Sequence, residues 1–152
     1  MKFFEFSQNN SGGSFHVDEH VTHRVLIEAD TEEEAIRKGE ELGMYWNGCE
    51  NGIDCPCCGD RWSTPWGEKI FPFTFGTFSK QEAKEVAEKY KFEISKSDKR
   101  YGRNKYDVII STPEGYAQLL ADKYGWTKPD CYIYYKSGEK VSITGRVFKN
   151  GA

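Results

Sequence analysis

Residues 45–66, YWNGCENGIDCPCCGDRWSTPW, decide how the rest of the chain is read. They hold four of the five cysteines (Cys49, Cys55, Cys57 and Cys58) and three of the four tryptophans (Trp46, Trp62 and Trp66). The stretch has neither a helical nor a strand period, so side-chain chemistry rather than regular backbone must order it. Within it, Cys55-Pro56-Cys57-Cys58-Gly59 is a C-P-x-C-G knuckle, in which Cys55 and Cys58 can face one metal ion across a tight turn. Proline sets the entry φ, and glycine lets the backbone curl until amides approach the sulfurs. Structural zinc takes four ligands. Cys49 is the natural third, reached through the flexible Glu50-Asn51-Gly52. The fourth stays open among Cys57, one of His16, His20 and His23, and the distant Cys131. Full thiolate ligation leaves no position for water, so zinc here is expected to be structural. Two other readings stand beside it: reduced cysteines in an aromatic-lined turn, and a C-x-x-C redox pair. The redox reading lacks a thioredoxin-like βαβ context.

Working outward, residues 69–78 (KIFPFTFGTF) alternate, with Phe71, Phe73 and Phe75 on one side and Ile70, Pro72 and Thr74 on the other. Pro72 cannot donate to a ladder, which restricts the run to an edge strand or an extended arm. Ser79 and Glu82 then have capping-box spacing, and Ala83, Val86, Ala87 and Tyr90 form an inner helical stripe. Upstream, Thr31 and Glu34 form a second capping box, with Glu32, Glu33 and Glu34 at the positive end of the helix dipole. Ala35, Gly39 and Leu42, with Ile36 beside them, face inward, and Gly43 is a natural stop. Residues 21–29 read as a strand burying Val21, His23, Val25 and Ile27, residues 2–6 as an opening strand, and QNNSGGS (8–14) as a turn. That turn is rich in amides and can contact a ligand, or serve as a plain hairpin loop.

Downstream, residues 91–105 start as a strand and become a basic loop, and residues 106–111 form another strand. Thr112 caps a helix with Pro113 at its first position and Tyr116, Leu119, Leu120 and Tyr124 as its stripe. Residues 131–135 and 141–148 flank SGEK as a hairpin with Gly138 in the turn. The expected fold is a single α+β domain over residues 1–152. A largely antiparallel sheet carries two or three helices on one face, with residues 45–66 as a Cys/Trp-rich loop at its rim.

At 152 residues the chain can bury a core without staples, and 15% aromatic content leaves aromatics for the surface. A net charge of −3 argues against indiscriminate binding to nucleic acid or anionic membranes. The opening MKFFEFSQNNSGG lacks the apolar region of a signal peptide, and no run approaches the ~20 apolar residues of a membrane span. A soluble, cytoplasmic protein with no membrane partner is expected, and an odd cysteine count suits a reducing compartment.

Arg61 beside Trp62 and Trp66 has the composition of a protein hot spot or a base-stacking site. The plainer alternative packs both tryptophans over the metal turn and pairs Arg61 with Asp60. Residues 91–105 carry six basic residues against Glu93 and Asp98. Of these, Lys99, Arg100 and Arg103, with Tyr101, offer charge and stacking for nucleic acid, with steep salt dependence; a solvated hairpin tip is the plain reading. On a strand His16 and His20 share a face and His23 lies on the other, so the three cannot converge without a bend. Asp18, Glu19, Asp54 and Asp60 show no spacing for paired acid–base work, and no nucleophile triad, phosphate loop or dinucleotide fingerprint is present. No catalytic residue is assigned.

Three blocks, FEFSQNNSGGSF, THRVLIEADTEEEA and YWNGCENGIDCPCCGDRW, are similar to a family of small uncharacterised proteins encoded by tailed bacteriophages. The resemblance covers roughly the first 70 residues and implies an origin rather than an activity. It points to a non-enzymatic binding protein acting on a host protein or a host-derived small ligand. A nucleic-acid-binding module is the second reading. A small metal-dependent hydrolase, which needs an open metal position for water, is the third.

Overall fold

The computed structural model describes residues 1–65, 67–97 and 104–146. The candidate binding residues Trp66, Lys99, Arg100, Tyr101 and Arg103 lie outside the described residues. The elements run β1 (Lys2–Ser7), β2 (Arg24–Glu28), α1 (Glu32–Glu41), β3 (Glu68–Ile70), β4 (Phe73–Ser79), α2 (Lys80–Tyr90), β5 (Glu93–Lys96), β6 (Lys105–Ile110), α3 (Pro113–Tyr124), β7 (Cys131–Tyr134) and β8 (Lys140–Ile143). They form a five-stranded sheet of order β3-β1-β2-β7-β8 and a three-stranded sheet of order β4-β6-β5. Every pairing is antiparallel except β2 with β7, which runs parallel with Leu26 opposite Ile133.

Each helix starts where a short polar side chain satisfies an orphan N–H. Thr31 Oγ1 accepts from Glu34 N–H at 3.2 Å, Ser79 Oγ from Glu82 N–H at 3.3 Å, and Thr112 Oγ1 from Gly115 N–H at 3.1 Å. The α1 box closes one residue early: the Glu34 carboxylate accepts from the Asp30 N–H at 3.3 Å instead of that of Thr31. Gly43 (φ +107°) turns the chain out of α1 in a backbone region that disfavours other residues.

Strand alternation divides the core in two. Phe3, Leu26, Cys131 and Ile133 face one side of the large sheet and pack with Ala83 and Ala87 of α2, Val108 and Ile110 of β6, and Tyr116, Ala117 and Leu119 of α3. Phe4, Phe6, Val25 and Ile27 face the other side, covered by Ala35 of α1 together with Met44 and Trp62. Two helices therefore share one face, while α1 and the cysteine loop cover the opposite one. Because β2 is central, Leu26 is as buried as Val25 and Ile27.

One expected strand is two. The alternating run at residues 69–78 breaks at the cis Phe71–Pro72 bond, with β3 on the edge of the large sheet and β4 on the edge of the small one. Phe71, Phe73 and Phe75 still enter one cluster, and Phe71 meets Phe73 edge-on with ring centroids 5.2 Å apart. Periodicity gave the common face; it could not show the change of sheet at the proline.

Candidate functional site

The cysteine loop is fastened by a buried polar brace. Asp54 accepts the Tyr45 hydroxyl at 2.7 Å on one carboxylate oxygen and the Arg61 N–H at 2.8 Å on the other. Gly48 lets this happen: a Cβ there would lie 1.9 Å from Asp54 Oδ2. Arg61 Nε stands 4.0 Å from Asp54 Oδ1, while its Nη1 donates to Gln8 Oε1 (3.0 Å) and to the Ser14 carbonyl (2.8 Å). Gln8, itself buried, donates through Nε2 to the carbonyls of His16 and Thr22 at 2.8 and 2.9 Å. Asn9 completes the join, its Nδ2 donating to the Cys58 carbonyl at 2.5 Å and its backbone N–H to the Arg61 carbonyl at 2.8 Å. The QNNSGGS turn and the cysteine loop, distant in sequence, are thus one unit.

Both aromatic-arginine candidates in the described part of the loop face inward. The Arg61 guanidinium is turned toward Asp54, with a side chain only 15% exposed. Trp62 is 1% exposed and packs beneath the loop, so it is hydrophobic cover rather than a contact surface. Asp60 serves elsewhere, accepting the Cys49 N–H on Oδ1 at 2.9 Å.

The cysteine turn sits on this brace. Cys58 and Gly59 N–H both donate to the Cys55 carbonyl at 3.1 Å, and Gly59 has φ +92°. The Cys49 Sγ lies 3.4 Å from the same carbonyl. The backbone N–H of Cys57, together with the thiol and N–H of Cys58, holds the Cys55 thiol below its usual range. Burial and the nearby Asp60 carboxylate push the Cys49 thiol up. No disulfide joins any of the five cysteines. Cys131 is buried in β7 on the opposite side of the large sheet, which removes it from the candidates for a fourth ligand. The histidines are engaged away from the loop: His16 with Asp18 (2.9 Å), His20 with Glu19 (3.5 Å), and His23 with Asp130 (3.4 Å). Among the described residues no three His, Cys, Asp or Glu side chains already stand in ligating positions.

A second surface has no counterpart in the sequence reading. Trp126, just after α3, is 72% exposed. Its backbone N–H donates to Asp130 Oδ1 at 3.0 Å, and Asp130 is fully buried. The Asp130 backbone is pinned on both sides, its N–H donating to the Ile143 carbonyl and its carbonyl accepting from Arg24 N–H, each at 3.0 Å. Burial opposes ionisation of Asp130, but His23, the Trp126 N–H and the Arg24 guanidinium outweigh it and hold its carboxyl below the usual range. Arg24 Nη1 lies 3.0 Å from Asp130 Oδ2, and its guanidinium stands 5.8 Å from the centre of the half-exposed Tyr124 ring. Phe15 bridges His23 (4.5 Å between ring centroids) and Trp126 (6.4 Å). An aromatic surface of Phe15, Tyr124 and Trp126 thus rests on a buried His23–Asp130–Arg24 base. The sequence reading did not single out this segment, because exposure is a tertiary property.

Fold and sites together define a small α+β protein with two joined cores, a cysteine turn braced from its N-terminal strand, and a rigidly mounted surface tryptophan. The chain belongs to the family described as domain of unknown function (DUF7296), which it matches over residues 1–150. No curated protein and no solved structure matches it. None of the described helices is long and apolar enough to cross a membrane.

Proposed function

We propose that the chain is a phage-encoded, non-enzymatic binding protein that acts in the host cytoplasm by engaging a host protein through its Trp126 surface. The observation that carries this is a tryptophan 72% exposed on a backbone fixed by a buried carboxylate. Leaving so large an apolar ring in water is unfavourable, and preorganised Trp, Tyr and Arg side chains are what dominate protein contacts. A small host-derived ligand is less favoured, because the aromatic surface projects outward. A groove of about 500 Å³ bounded by Glu5, Ser7, Ser63, Thr64, Glu68 and Lys69 is open to solvent.

The test is quantitative affinity capture from infected cells with wild type and Trp126→Ala, followed by titration of any recovered host protein with both. A host protein bound at least ~10-fold more weakly by the variant supports the proposal. Equal recovery and equal affinity with both proteins overturn it. The nucleic-acid reading loses Arg61 to the internal brace and keeps only the basic run outside the described residues. A salt-titrated shift assay with single- and double-stranded probes separates it, since phosphate contacts weaken steeply with salt.

A further inference from the structure

We infer that residues 49–60 form a structural zinc site in which the thiolates of Cys49, Cys55 and Cys58 are ligands and Cys57 completes the set. The first argument is geometric. The Cys55 carbonyl accepts the N–H groups of Cys58 and Gly59 at 3.1 Å, closing a tight turn that starts at Cys55 and includes Cys57 and Cys58. The Cys49 sulfur reaches to 3.4 Å of the Cys55 carbonyl, so the upstream cysteine is folded back over the same turn. Proline entry and a left-handed Gly59 produce this curl, the backbone shape a C-P-x-C-G knuckle needs.

The second argument is energetic. Of residues 47–60, only Gly48 and Asp54 are buried; Ile53 is 61% exposed, and Cys57 and Cys58 are exposed. The Asp54 brace fixes the two ends of the loop, but apolar burial does not hold its outer part. Four thiols gathered where the hydrophobic effect supplies so little are suited to an ion that does the ordering. Thiolate sulfur in a tetrahedral set selects zinc over hard cations. On binding, each ligating thiol gives its proton to solvent as its Zn–S bond forms, with no change in oxidation state. The side chains must rotate to converge, since no three already stand in ligating positions among the described residues.

The experiment is elemental analysis of full-length protein purified without chelator from zinc-supplemented medium, repeated on Cys49→Ser, Cys55→Ser, Cys58→Ser and Cys131→Ser. The expected result is about one zinc per chain in wild type and Cys131→Ser, falling at least ~10-fold in the three loop variants. Should the variants fail to fold, alkylation of native wild type is decisive. The loop thiols should be protected as purified and should react after zinc is stripped by a chelator. Wild-type protein without zinc, iron in its place, undiminished zinc in the loop variants, or loop thiols that react equally with and without chelator would each overturn the site.

Discussion

Removing the Asp54 carboxylate tests the brace that joins the cysteine loop to the QNNSGGS turn. In Asp54→Ala the Arg61 guanidinium, 15% exposed, keeps Gln8 and the Ser14 carbonyl but loses the Asp54 carboxylate. The Tyr45 hydroxyl and the Arg61 N–H lose their acceptors at the same time. Breaking a buried charge pair on one side costs about 3–5 kcal/mol. At roughly 2–4 °C per kcal/mol for a chain of this size, the melting temperature should fall by about 6–20 °C. Arg61→Met alone leaves Asp54 with its two neutral donors and should cost less. The double variant removes both charges, so it should be destabilised by less than the sum of the two single changes, with a coupling of about 1–3 kcal/mol. Thermal and urea melts of the four proteins, held at one zinc concentration, measure the cycle. A loss under about 2 °C in Asp54→Ala, or strict additivity, would refute the view that this carboxylate and guanidinium act as a unit.

Gly48→Ala should reproduce much of the same loss without touching charge, because its Cβ at 1.9 Å from Asp54 Oδ2 expels the carboxylate; overpacking of this kind costs about 1–3 kcal/mol by melting. Trp62→Ala, emptying a site 1% exposed, should cost about 3–5 kcal/mol, whereas Trp126→Ala at 72% exposed should stay within about 0.5 kcal/mol, and chemical denaturation of the pair separates core from surface tryptophan. Asp130 and Asp122 both have carboxyls held below the ordinary value, Asp122 against the cost of its burial through Arg146, Gln118 and Tyr90. Their stabilisation is complete above the unfolded value of about 3.9 and is lost as pH falls through the lower folded values. Melting temperature against pH should therefore drop on the acid side of about pH 4, and Asp130→Asn should flatten that limb.

What was legible in the sequence is what short-range chemistry dictates. Thr31, Ser79 and Thr112 each cap a helix because a hydroxyl three residues before a free N–H needs nothing from the rest of the chain. Gly138, at φ +96°, turns the β7–β8 hairpin for a similarly local reason. The partners of Arg61 were not legible. Asp60 adjoins it in sequence, yet the carboxylate that meets it is Asp54 and the amide is Gln8, placed just after β1. Trp126 was missed for the same reason. Its neighbour Asp130 carries the signal only once His23 and Arg24 arrive at the start of β2.

The parallel contact between β2 and β7 also fixes an order of assembly. Leu26 pairs with Ile133, so the middle of the five-stranded sheet stays unpaired on one side until residues 131–134 have left the ribosome. β1, β2 and α1 can form early from local contacts, but the emerging intermediate carries the apolar edge of Val25, Leu26 and Ile27 with its hydrogen-bonding groups unmet. Nascent or truncated chains that stop before residue 131 should therefore be the ones that chaperones retain and that aggregate.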